Sequence, residues 1–361
     1  MINEIQEKIQ EIAAEKAAIF FKTKKKGHIN AAMRFGKIFC TIKILNKLYK
    51  VSPKILLCYP DNKLKEAWIQ DFEKWGYNYE NIVFCNFSSL KKYSDSTFDF
   101  FIVDEWHSLS ENELNLAKNI SNLCFKTLAL SGTVSKETQQ KWVELEEIYK
   151  YTTEQGISDL ILSDYQISVH LVNLDKKIFT PNKKGKMLSE KNKYDNYSYV
   201  IKSMQSKRKP FMHLALARNR LSLSSIGKIE YTKKLLKKLT SKRVLVFTGL
   251  ASVADSLDIQ SYHSKSESDG HFLAFKDGVI NQLALAAMGK VGVTYPSLDS
   301  VILLNFTYNA EESSQILNRC IKLDYKDKLA DMHVICLNEP AEIKKVKESL
   351  SMLDQSKIKY V

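Results

Sequence analysis

Two rhythms of apolar and polar positions trade places along this chain. In the first half, short and nearly unbroken apolar runs recur: KILLCY (54–59), NIVFC (81–85), FDFFIV (98–103) and KTLAL (126–130). Strands read this way when a parallel sheet is covered on both faces. Between them lie stretches of helical period, such as NKLKEAWIQDFEKWG from Asn62 to Gly76. A second series runs through RVLVF (243–247), SVILLN (300–305) and HVICLN (333–338), again with helical stretches between. The pattern predicts an α/β fold of two parallel-sheet units, and 361 residues suffice for two cores. Near the N-terminus Ile2, Ile5, Ile9 and Ile12 recur between charges at helical spacing, predicting a helix that packs through them.

The stretch between the two series is different. From Asp175 to Pro210 there is little apolar period and much positive charge, with Tyr194, Tyr197 and Tyr199 interleaved among lysines. Rings among cations can stack on bases while the cations hold phosphates; a solvated connector fits the same residues. Isoleucine and leucine spacing in 226–239 predicts an amphipathic helix leading into the second unit. The expected organisation is a first unit over 1–165, a basic connecting segment over 166–240 and a second unit over 241–361.

Charge changes the picture most. The net charge of +13 points to a polyanion partner, nucleic acid before anionic membrane, although lysine-rich chains also arise without one. The six cysteines are scattered with no C-x-x-C pair, and the seven histidines show no metal spacing. Isolated thiols fit a reducing compartment, so a cytoplasmic location is expected. No apolar stretch approaches a membrane span.

Candidate chemistry begins at FDFFIVDEWHSLS (98–110), where an apparent interior strand runs into Asp104 and Glu105. Ligands bind at the C-terminal edge of open α/β sheets, where these two acids would stand. A nucleotide there needs a phosphate loop upstream, and GHINAAMRFGKIFCTIKIL (27–45) offers one. HINAAM reads as a strand, RFGK as a turn and IFCTIKIL as the start of a helix. Gly36 would let backbone N–H groups curl around phosphate while Lys37 reaches the β- and γ-phosphates. Ala32, Met33, Arg34, Phe35, Gly36, Lys37 and Ile38 are the candidate nucleotide-binding residues. Two positions depart from the usual loop. Ala31 stands for its first glycine, and Ile38 for the Ser or Thr that ligates Mg²⁺.

The order of segments is more specific than any one of them. After the loop come LLCYPDNKLKEAWIQDFEKW, NFSSL (86–90), VDEWH and LALSGT (128–133). This succession resembles motifs I, Ia, Ib, II and III of a superfamily 2 helicase, with DEWH a variant of the DEAH box and SGT similar to Ser-Ala-Thr. In the second half, RVLVFTGLASVADSL (243–257) resembles motif IV and LAAMGKVGVTYPSLDSVILLN (285–305) motif V, with Thr294 where aspartate is usual. QILNRCIKLD (315–324) resembles motif VI, with Gln315 and Arg319 matching, Asn318 for glycine and Lys322 for the last arginine.

The resemblance implies two RecA-like domains in tandem with ATP in the cleft between them, and ATP and Mg²⁺ as its cofactors. Asp104 would hold Mg²⁺ and Glu105 would polarise the attacking water. Arg319, Lys322 and Gln315 would complete the catalytic set, and His107, Ser131 and Thr133 would couple hydrolysis to movement. The leading expectation is an ATP-dependent translocase or helicase on DNA, with RNA as the alternative track. Its layout resembles small phage or mobile-element helicases; replication or recombination proteins are the expected partners, and the chain is expected to be monomeric. The rival is a nucleic-acid-binding scaffold of helicase fold with weak or no ATPase, because Ile38 removes a metal ligand and Lys322 lacks arginine's planar fork. A third reading, the motor of a restriction system, ranks below these because no nuclease constellation such as D-(x)n-E-x-K is evident.

Overall fold

The computed structural model describes residues 4–361 except 33, 133, 182–184, 186, 267, 287–297, 307–312 and 314–328. Two compact units divide between Ser163 and Asp164.

The first unit runs α1 (Glu4–Thr23), β1 (Lys26–Ala31), α2 (Lys37–Leu48), β2 (Ile55–Tyr59), α3 (Asn62–Lys74), β3 (Ile82–Asn86), β4 (Phe100–Asp104), α4 (Glu111–Leu123), β5 (Lys126–Ser131), α5 (Lys136–Lys141), β6 (Glu146–Tyr151) and α6 (Thr153–Ser158). Its sheet has the order β3-β2-β4-β5-β1-β6, and every pairing is parallel. Each residue of β2 and β4 is buried, which is why both read as unbroken apolar runs. The helices start where the side chains provide for it. Asp61 accepts from the N–H groups of Lys63 and Leu64 at the head of α3, and Ser110 with Glu113 makes a capping box on α4.

After β1 the chain crosses to β2, and β4 and β5 later fill the gap between them. Register sets Asp104 beside Leu130 and Ser131 beside Asn30, so the C-terminal ends of β4, β5 and β1 lie level on neighbouring strands. Against the sheet packs a core that includes Trp106 and Trp142, whose rings meet edge to face at 6.2 Å.

The isoleucine stripe of α1 is not its packed face. Ile5 and Ile12 are exposed, whereas Gln6, Gln10, Ala13, Ala14, Ala17 and Phe21 are buried. The alanines allow close approach to the sheet, and the two glutamines have polar partners, described below.

The second unit holds β7 (Tyr165–Val172), the hairpin β8 (Phe179–Pro181) and β9 (Met187–Ser189), α7 (Glu190–Ser206), α8 (Met212–Leu223), α9 (Ile226–Lys238), β10 (Val244–Phe247), α10 (Ala251–Asp255), β11 (Gln260–Tyr262), α11 (Gly270–Lys276), β12 (Gln282–Leu285), β13 (Ser300–Leu303), β14 (Ala330–Leu337), a helix Pro340–Ser349 and β15 (Ile358–Tyr360). Its sheet order is β11-β12-β10-β13-β14-β7-β15, again parallel at every pairing. Two RecA-like parallel-sheet units in tandem are thus the architecture.

Residues 166–240, expected as a connector, carry regular structure in this unit. Strand β7 pairs with β14 along its whole length, and α9 packs on both. The buried Lys228 of α9 donates to Leu304 O at 2.6 Å. The strand was obscured because YQISVHLV mixes polar residues into its half-buried positions.

Candidate functional site

The loop from Ala32 to Gly36 joins β1 to α2 and reverses through left-handed backbone at Arg34 (φ 67°) and Gly36 (φ 83°). Glycine suits the second position for two reasons. Its φ disfavours a side chain, and a Cβ there would stand 2.3 Å from Gln10 Nε2. Phe35 anchors the loop in the core beside Tyr151, 5.5 Å between ring centres.

From α1, Gln6 Nε2 donates to Arg34 O (2.8 Å) and Phe35 O (3.2 Å), and Gln10 Nε2 donates to Phe35 O (2.5 Å). These carbonyls therefore face α1. A trans peptide directs its N–H opposite its C=O, so the Gly36 amide faces away from α1, at the head of α2. The first N–H groups of a helix have no partner within it and favour an anion. Sequence reading missed both glutamines; their only signal was a pair of amides four residues apart in a charged helix.

Glu105 follows β4 in left-handed backbone (φ 53°), a sharp turn that aims its side chain across the strand ends. There Lys37 Nζ donates to Glu105 Oε1 at 2.5 Å, with the two side chains 15% and 18% exposed. Glu105 Oε2 lies 3.4 Å from His107 Nδ1, and that nitrogen is 2.7 Å from Ser131 Oγ at the end of β5. The Gly132 backbone also donates to Glu105. Asp104, 2% exposed, accepts from Trp68 Nε1 of α3 at 2.8 Å on Oδ2 and from the Glu105 amide at 3.0 Å on Oδ1. Trp68 is a third residue the sequence reading passed over, as one more apolar position of an amphipathic helix.

Electrostatics separate the two carboxylates. Burial pushes Asp104 up to about 6, with Lys37 opposing the rise and Glu105 adding to it. Burial would raise Glu105 as well, but the Lys37 ammonium, His107 and the Gly132 amide hold it below the usual carboxylate value. Burial works against the charge of Lys37, yet Glu105 and Asp104 keep its pKa above the ordinary lysine value.

Of the residues expected in the site, Ala32, Arg34, Phe35 and Gly36 fall on the loop between β1 and α2, Lys37 and Ile38 open α2, and Asp104, Glu105, His107 and Ser131 lie at or just past the ends of β4 and β5. Met33, Thr133, Gln315, Arg319 and Lys322 lie outside the described residues, as does Thr294. Ile38 offers no oxygen, and the Thr41 hydroxyl one turn on is buried, donating to Lys37 O at 2.8 Å. Among the described residues of this loop and strand end, the carboxylates that a metal could meet are those of Asp104 and Glu105. That suits Mg²⁺ arriving on nucleotide phosphates with its own waters, which needs only one or two carboxylates.

Residues 1–136 match the family described as type III restriction enzyme, res subunit. Among solved structures, the chain is similar over its whole length to the ATP-dependent type ISP restriction-modification enzyme LlaBIII bound to DNA, at 15% identity and a TM-score of 0.62. The shared fold is that of two RecA-like parallel-sheet units in tandem, the fold found in helicases. A second superposition, over 98% of the chain at 17% identity and TM-score 0.62, is with a fragment of a chain assigned as the HsdR subunit of a type I restriction enzyme from Vibrio vulnificus. The chain spans 31% of the LlaBIII chain and 67% of the HsdR fragment. No curated protein matches it in sequence.

Proposed function

We propose that the chain is an ATP-dependent nucleic-acid translocase whose first unit binds and hydrolyses the nucleotide. The observation that carries this reading is the Lys37–Glu105 ion pair, closed across the strand ends beside a buried Asp104. Without nucleotide, the lysine and the carboxylate satisfy each other. The β- and γ-phosphates would draw the Lys37 ammonium onto themselves and free Glu105 to accept a proton from water attacking the γ-phosphate. His107, bonded to Ser131, would carry the change at Glu105 to the end of β5. Bound Mg²⁺ would neutralise charge developing on the phosphates, with Asp104 facing it. Gln315, Arg319 and Lys322 are proposed to complete the catalytic set from the second unit.

Of the two solved structures described above, one is a restriction-modification enzyme bound to DNA and the other is assigned to a type I restriction enzyme. That supports DNA over RNA as the track and raises the restriction-motor reading above its place in the sequence analysis. The scaffold reading keeps one supporting observation: Ile38 supplies no metal ligand, and Thr41 is committed to its own helix.

Nucleotide binding tests the site apart from turnover. In a titration with a fluorescent ATP analogue, Lys37→Ala should bind at least tenfold more weakly than the native chain. Glu105→Gln should bind as tightly or more tightly, because the competing ion pair is gone. Equal binding by Lys37→Ala would remove the loop from the nucleotide site.

A further inference from the structure

The excess positive charge of this chain is confined to one segment. Residues 175–240 hold 18 of the 54 lysines and arginines but only 4 of the 41 acids, leaving 36 basic against 37 acidic residues elsewhere. The structure shows how the four acids are used. Asp175 accepts from the Lys177 and Ile178 amides. Glu190 bonds Ser225 Oγ and the Ile226 amide at the head of α9. Asp195 pairs with Lys191, and Glu230 with Lys233. Lys191 also reaches Glu339 at 2.9 Å, so Glu190 and Lys191 together root the α7–α8 pair on the rest of its unit.

Beyond the root the acids stop. No Asp or Glu occurs from 196 to 229. The turn between α7 and α8 carries Lys207, Arg208 and Lys209 in succession, all exposed, with Arg208 in left-handed backbone (φ 53°). Among the described residues no carboxylate pairs with these three or with the exposed Lys202. Tyr199 stands three residues before Lys202 on the same face of α7 and is 75% exposed. On α8, Met212 and Leu216 are exposed at 66% and 62%. Cations without acids would be expected to repel one another at this turn unless an anion joins them, and a bare ring beside them offers a flat apolar surface.

We propose that the outer end of the α7–α8 pair is a binding site for single-stranded nucleic acid. Lys202, Lys207, Arg208 and Lys209 hold the phosphodiester backbone, and Tyr199 stacks on a base. A duplex has its base faces covered, so the ring selects the single strand. The site shares the nucleic-acid partner of the proposed function but uses neither the nucleotide site nor any residue at the strand ends.

Fluorescence anisotropy with a labelled single-stranded oligothymidylate, no nucleotide present, tests it. The variant Lys207→Glu/Arg208→Glu/Lys209→Glu should bind at least tenfold more weakly. Its log–log dependence of affinity on salt should be shallower by about 2, at roughly 0.7 for each single-strand phosphate no longer neutralised. Tyr199→Ala should bind roughly 5- to 100-fold more weakly with the salt slope unchanged. All four positions are exposed, and an unchanged thermal melt verifies that each variant folds. Native affinity and slope in the triple variant would overturn the proposal while leaving the nucleotide site untouched. Equal binding of duplex and single strand, with Tyr199→Ala neutral, would overturn the single-strand assignment. Preference for phosphatidylserine vesicles over the oligonucleotide would give this surface to a membrane instead.

Discussion

At the scale of residues, the proposed nucleotide site rests on groups that support it from outside. Gln6 and Gln10 hold the carbonyls of Arg34 and Phe35 from beneath, and Gln10 is fully buried. Gln10→Leu should leave the Phe35 carbonyl without its closest donor, costing about 1–3 kcal/mol and weakening nucleotide binding with it. Urea unfolding read beside a nucleotide titration checks both; a loss of stability without loss of binding would mean that the glutamine supports the fold only. Trp68→Phe removes the donor to Asp104 Oδ2 and should likewise destabilise the first unit by about 1–3 kcal/mol, seen as a lower urea midpoint. An unchanged midpoint would show that another group takes the indole's place. Ile38→Thr keeps the β-branch and adds a hydroxyl where the metal-bound loop usually has one. Mg²⁺-dependent ATP hydrolysis should rise at least severalfold if the native loop is impaired, and equal rates would show that Asp104 and the phosphates suffice.

At the scale of elements, the sheets were legible because parallel strands covered on both faces leave a continuous apolar signal. β2, β4, β10 and β13 are buried along their full length and coincide with the runs read from sequence. Asp104–Glu105 was legible for a related reason, since it follows such a run at the C-terminal edge, and Gly36–Lys37 was legible as a Gly-Lys pair at a strand-to-helix turn. What stayed hidden has a physical cause in each case. β6 alternates acids and lysines with tyrosines at the sheet edge, and β7 sits ahead of a lysine-rich stretch that masked it. The glutamines and Trp68 act through single side-chain bonds that leave no period. Strand β7 gives a direct test: a fragment of residues 164–361 should melt cooperatively, whereas one starting at residue 176 should not, because β14 and β15 both pair with β7. Circular dichroism distinguishes the two, and equal melts would show that the strand is dispensable.

The same strands hold a buried histidine pair. His170 Nε2 is 3.0 Å from His333 Nδ1, and the Tyr231 hydroxyl is 2.8 Å from His170 Nδ1. Burial, His170 and Lys242 push His333 down to about 4 despite Asp331, and burial and Lys238 lower His170. Both are neutral when folded and bind protons more readily when unfolded. The second unit should therefore lose stability as pH falls from 6.5 toward 4, by about 1.4 kcal/mol for each pKa unit separating the two states. The 164–361 fragment, unfolded in urea across that range, should show a falling midpoint that His333→Gln flattens.

At the scale of the whole molecule, two parallel-sheet units divide the labour. The first collects the lysine and carboxylates of the proposed nucleotide site. The second carries the excess positive charge of the chain within residues 175–240, at a distance in sequence from that chemistry. The two solved structures described above are longer chains, of which this one spans 31% and 67%. A motor differs from a scaffold in one observable: its chemistry depends on its track. The decisive measurement is steady-state ATP hydrolysis with Mg²⁺, alone and with single-stranded DNA, duplex DNA and RNA, with Glu105→Gln as the blank. The expected result is hydrolysis that at least one DNA form stimulates tenfold or more and that Glu105→Gln abolishes. Nucleic acid bound with no hydrolysis above the blank would contradict the account and leave a helicase fold that grips without moving.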